Sequence, residues 1–113
     1  MKVRFLSVAE REMRDAFDWY ERQSPGLGAE FLAELDQAVG RIRRYPESCQ
    51  VVEEEIRRAL LSRFPYGLWY AIETDVVVVY AVAHLHREPR YWTDRLPDTD
   101  AGGLTNPVLS EDH

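Results

Sequence analysis

The sequence predicts an α+β fold, ordered β-α-α-β-β-β, with a helical hairpin packed on one face of a small, mainly antiparallel twisted sheet. Three observations predict it. Apolar residues recur at three- and four-residue steps from Ala9 to Tyr45, interrupted once at Gln23-Ser24-Pro25-Gly26. After Pro46 this period gives way to short runs rich in Val, Leu and aromatic residues, which suit a pleated, half-buried surface. The connections between those runs are short, and short connections join antiparallel neighbours rather than crossovers.

Each element has its own signal. Residues 2–6 (KVRFL) alternate polar and apolar and read as a short strand. Ser7 and Glu10 stand at the S-x-x-E spacing in which hydroxyl and carboxylate reciprocally satisfy free amides at a helix start. In the helix that follows, Ala9, Met13, Ala16, Phe17 and Tyr20 form one face, with Trp19 on its flank. Leu27, Phe31, Leu35, Ala38, Val39, Ile42 and Tyr45 form the stripe of a second helix, which Pro46 ends. Residues 56–63, 67–73 and 76–84 read as three strands, joined by Phe64-Pro65-Tyr66-Gly67 and by Thr74-Asp75. Val76-Val77-Val78-Val79 lacks polar alternation, so its strand is expected to be buried on both faces. Residues 1–96 form one expected domain. Residues 97–113, dominated by Pro, Gly, Asp, Thr and Asn, read as an acidic, flexible tail. A site is expected on the sheet face opposite the helices.

The 113 residues carry 14 basic and 20 acidic side chains, a net charge of -6. The charge is uneven: residues 1–56 are net -4, residues 57–95 net +2, and residues 96–113 hold four acids and no Lys or Arg. This balance excludes a broad basic surface for nucleic acid, because phosphate binding runs on counterion release by Lys and Arg. The single Cys49 excludes an internal disulfide and a Cys-based zinc cage, and is expected to be a reduced thiol without a role. The longest apolar run, Val76 to Ala83, falls far short of the roughly 20 residues that span a bilayer. The start, MKVRFLSVAERE, has no apolar run of signal-peptide length. A soluble, cytoplasmic protein with no membrane partner is the expectation.

No Gly-rich phosphate loop, G-x-S-x-G, H-E-x-x-H or C-x-x-C is present. The concentration of chemistry-bearing residues lies at the end of the last strand: His84, His86, Arg87, Arg90, Tyr91, Trp92 and Arg95. Arg57, Arg58 and Arg63 on the first strand of the meander can join it. His84 and His86, two apart, point to the same side of a strand. They lack a third ligand at fixed spacing, so no metal and no cofactor are expected. Arg57 and Arg58 face opposite ways, whereas Arg57 and Arg63 share a face. Plainer roles stand beside these: a packed strand-end histidine, arginines solvated or paired with Glu53-Glu54-Glu55, and Tyr91 and Trp92 as core anchors.

The stretches AFDWYERQSPGLGAEFLAEL, IRRALLSRFPYGLWY and VYAVAHLHREPRYWTDR, in this order and spacing, resemble the RelE/ParE superfamily of bacterial type II toxin–antitoxin toxins of plasmid-stabilisation type. The resemblance covers residues 1 to about 95 and implies the fold already read from periodicity. It also implies a small cognate antitoxin that binds and neutralises the chain. RelE-like members cleave mRNA in the ribosome; ParE-like members poison DNA gyrase by binding it. By position, Arg57 and Arg63 correspond to basic strand residues of the cleaving branch, and His84, Arg87 and Tyr91 lie near its C-terminal functional residues. That branch is strongly basic and Lys-rich at its site, whereas this chain has one lysine, Lys2. The leading expectation is therefore a ParE-like toxin that inhibits a protein target, DNA gyrase. One alternative is a metal-independent endoribonuclease, with Arg63 and Arg87 on the phosphate and a His or Tyr91 moving the proton. Another is an inactive member that only binds antitoxin. Family antitoxins wrap an extended segment and a helix over their toxin, which makes Trp19 and Trp69 candidate antitoxin contacts. A homodimer or a toxin–antitoxin hetero-oligomer is the expected assembly.

Overall fold

In the computed structural model, residues 1–88 and 90–97 are described. The expected tail beyond Pro97 lies outside them. The two apolar stripes become α1 (Ser7–Gln23) and α2 (Leu27–Arg44). The strands are β1 (Lys2–Phe5), β2 (Gln50–Glu53), β3 (Ile56–Leu60), β4 (Tyr66–Glu73) and β5 (Val76–His84), followed by a short 3-10 turn at Thr93–Arg95. They form one mixed sheet in the order β1-β5-β4-β3-β2. Every neighbouring pair is antiparallel except β1 and β5, where Lys2 to Phe5 run parallel to Val76 to Val79.

Gly26 makes the hairpin turn with φ of 90°, in the left-handed region that glycine enters without a steric penalty. The carboxylate of Glu21, on α1, accepts the backbone N–H groups of Gly26 and Gly28, each at 2.9 Å. One helix thus caps the start of the next. Phe31, Ile42, Leu68, Tyr70, Val77 and Val79 are fully buried between helices and sheet. Val77, Val78, Val79 and Val82 are at most 1% exposed, so β5 is buried on both faces, as its unbroken apolar run implies.

Four local expectations are corrected. A fifth strand, β2, precedes the meander; Val51 is 42% exposed on it and Val52 37%, so this outer strand has no buried face to announce it. The strand predicted over 56–63 stops at Leu60, which leaves Arg63 in a loop and off the face of Arg57. Leu6, not Ser7, is the N-cap of α1 and makes no side-chain cap bond; Ser7 is already the first helical residue. Tyr45 lies past the end of α2 and is 64% exposed instead of extending its apolar stripe.

Because β1 reaches only Val79, the outer side of β5 from Tyr80 onward has no strand beside it among the described residues. Side chains occupy that edge. The Val82 N–H donates to Glu12 at 3.0 Å and Arg95 donates to the Tyr80 carbonyl at 2.9 Å.

Candidate functional site

Glu12, Asp15, Ala16 and Trp19 recur at three- and four-residue steps, so α1 turns them toward one side. Opposite them stand Tyr66 on β4, Val82, Ala83 and His84 on β5, and Arg87 in the turn beyond. The groove between has a volume of about 560 Å³. Trp19 is half exposed on its rim, edge-on to Tyr20 with ring centroids 5.1 Å apart.

Around the end of β5 lies a second hollow of about 230 Å³, lined by Arg58, Trp69, Arg87, Arg90, Tyr91 and Trp92 with Val52, Glu53, Leu85 and Glu88. Arg87 belongs to both hollows, and its guanidinium lies 3.9 Å from the centre of the Tyr91 ring. Arg90, with φ of 62°, is fixed by Glu53 through its Nε at 2.6 Å. Hydrogen bonding to Arg90 lowers the Glu53 carboxyl below its ordinary range.

The centre of the C-terminal cluster is Glu12, a residue that the sequence reading did not single out. Its carboxylate accepts the Tyr91 hydroxyl at 2.8 Å and both terminal nitrogens of Arg95 at 3.1 and 2.9 Å, besides the Val82 N–H. Burial and the hydrogen bond to Glu12 push the Tyr91 phenol well above its ordinary range. Its hydroxyl is thus a donor at neutral pH.

The structure brings His84, Arg87 and Tyr91 to one end of the sheet but places Arg57 and Arg63 elsewhere. Arg57 donates to the carbonyls of Glu47 and Cys49, at 3.1 and 2.7 Å, and so braces the approach to β2. Arg63 faces α2, with Glu30 at 3.4 Å and Glu34 at 3.8 Å. Arg58 lines the smaller hollow in their stead. Trp69 is 9% exposed and forms part of the wall of that hollow, whereas Trp19 is open. Among the described residues no three of His, Cys, Asp or Glu gather where a metal ion would need them. No described helix is long and apolar enough to cross a membrane.

Over residues 3–89 the sequence matches the family profile described as ParE toxin of type II toxin-antitoxin system, parDE. No curated protein matches. Among solved structures, a chain titled "Chromosomal ParDE TA system from P. aeruginosa" superimposes with a TM-score of 0.67 at 12% identity, over 74% of this chain and 95% of that one. At that identity the likeness is one of fold.

Proposed function

The chain belongs to the ParE toxin family of type II toxin–antitoxin systems, and from that premise we propose that it acts by binding and inhibiting a protein target in the cytoplasm, DNA gyrase, and that a cognate antitoxin neutralises it by lying in the Trp19 groove. The observation that carries binding over cleavage is the dispersal of the groups a nuclease needs. Phosphodiester cleavage requires a proton-moving group and cations converging on one phosphate. Arg57 is held by backbone carbonyls and Arg63 by α2, while the Tyr91 hydroxyl is committed to Glu12. A net charge of -6 also works against approach to ribosomal RNA. The test is gyrase supercoiling titrated with purified protein: inhibition is expected, and unchanged supercoiling at excess protein overturns the reading. For the antitoxin, Trp19→Ala is expected to weaken capture in a pull-down.

One feature favours a nuclease instead. Arg58 and Arg87 stand with Trp69, Tyr91 and Trp92 around the smaller hollow, beside Glu88 and the Arg90–Glu53 pair, and two cations with aromatic rings can take a nucleotide's phosphate and base. That reading predicts discrete mRNA breaks on induction, seen by primer extension and lost in Arg87→Ala. Growth arrest without such breaks excludes it.

A further inference from the structure

We propose that His84 is a proton-operated latch on the Trp19 groove: the neutral ring holds the turn after β5, and the protonated ring leaves that turn for Asp15 on the facing wall. The inference rests on reading the groove as the antitoxin's seat.

At the end of β5 the chain doubles back, with the Arg87 N–H on the His84 carbonyl at 3.0 Å and the Leu85 N–H on the Pro65 carbonyl at 2.8 Å. Within this turn the His86 N–H donates to His84 Nδ1 at 3.0 Å. A neutral imidazole has one nitrogen that accepts, and an imidazolium has none. This bond therefore exists only while His84 is neutral, and imidazole is the side chain that ordinarily changes charge between about pH 5 and 8.

The titratable groups that line the groove with the ring, or stand against it, set the direction of its movement. From α1 these are Glu12, Asp15 and Tyr20; from β4, Tyr66; from the turn, His86 and Arg87. The Glu12 carboxylate is already filled by Val82, Tyr91 and Arg95. Burial raises the phenols of Tyr20 and Tyr66, which stay neutral. Arg87 repels a new cation. Asp15, whose exposed side chain makes no hydrogen bond or ion pair among the described residues, is the remaining anion of the groove. Protonated His84 thus loses its bond to the turn and is drawn across the groove floor, which alters the surface beside Trp19.

The protein alone decides this. Between pH 8 and 5.5 the protection factor of the His86 amide, corrected for intrinsic exchange, is expected to fall about fivefold, the equivalent of one net hydrogen bond. Acrylamide quenching of Trp19 is expected to change with the same midpoint, in a Trp69→Phe, Trp92→Phe background whose far-ultraviolet circular dichroism is unchanged. His84→Asn, whose side-chain oxygen can hold the His86 N–H without titrating, should keep the protection and abolish both pH responses. Asp15→Asn should keep the amide response and lose the Trp19 response. If His84→Asn responds to pH as the parent does, the latch is overturned; if Asp15→Asn retains the quenching change, the crossing to Asp15 is overturned. If the double Phe background does not fold, the amide measurement in the parent chain decides by itself. Antitoxin capture by Trp19→Ala tests the seat separately, so loss of one reading is not mistaken for loss of the other.

Discussion

Glu12 shows how much one side chain can hold in place. Glu12 and Arg95 are 17% and 15% exposed, so removing either partner leaves a charge poorly solvated. Glu12→Ala is expected to cost about 3 kcal/mol in urea unfolding. Glu12→Gln, which retains an oxygen for the Val82 N–H, should cost about half that. Tyr91 adds a pH dependence. Its folded phenol is raised above the unfolded value, so the folded state holds the proton more tightly. Stability from this group is complete below about pH 10 and falls as pH rises beyond it. Burial raises the phenols of Tyr20, Tyr66 and Tyr70 in the same direction. Urea midpoints measured from pH 9 upward should decline, and less steeply in Tyr91→Phe. None of this was legible beforehand: Glu12 reads as an ordinary helix-surface acid, and its partners lie 70 to 83 residues away in sequence. The reactive-looking Arg57 and Arg63 failed to converge because each found another anchor, Arg57 on carbonyls 8 and 10 residues back and Arg63 on α2 some 30 residues away, that no spacing rule encodes.

At the scale of elements, the hairpin turn is the most sensitive joint. A Cβ at Gly28 would stand 2.8 Å from Glu21 Oε1 and 2.8 Å from the Phe17 ring, closer than real side chains approach. Gly28→Ala is expected to destabilise the fold by about 2 kcal/mol, and Glu21→Ala, which uncaps α2, by about 1 kcal/mol. Because the two changes meet at one contact, the double variant should lose less than the sum in thermal unfolding. Both helices and β1 were legible because each buries one face and so displays a period, and the meander core because its unbroken apolar runs mark burial on both faces. What escaped lacks that imprint. Among the described residues β2 is an exposed edge with one partner; its Val51 pairs with Arg57 and its Val52 sits at a bulge, neither with a core beneath it. The shift of the α1 cap to Leu6 reflects tertiary pairing: the Leu6 N–H donates to Val79, which holds Leu6 at the end of β1 and extended.

For the whole molecule, the family match ends at residue 89 while the packed body continues. Trp92 is 3% exposed and Arg95 straps the open side of β5. A chain truncated after residue 89 is therefore expected to lose cooperative unfolding, whereas the full chain should melt in one transition by calorimetry. The parallel pairing of β1 with β5 has a further consequence for synthesis. Lys2 to Phe5 are made some seventy residues before Val76 to Val79, their only strand partners among the described residues. No helix or hairpin formed in the interval offers them a ladder, and closing so long a loop carries an entropic cost before its contacts repay it. On the ribosome the nascent chain can therefore build its helical hairpin early but cannot finish its sheet until the fifth strand has left the exit tunnel. For a member of a toxin family, translation itself thus delays the finished shape.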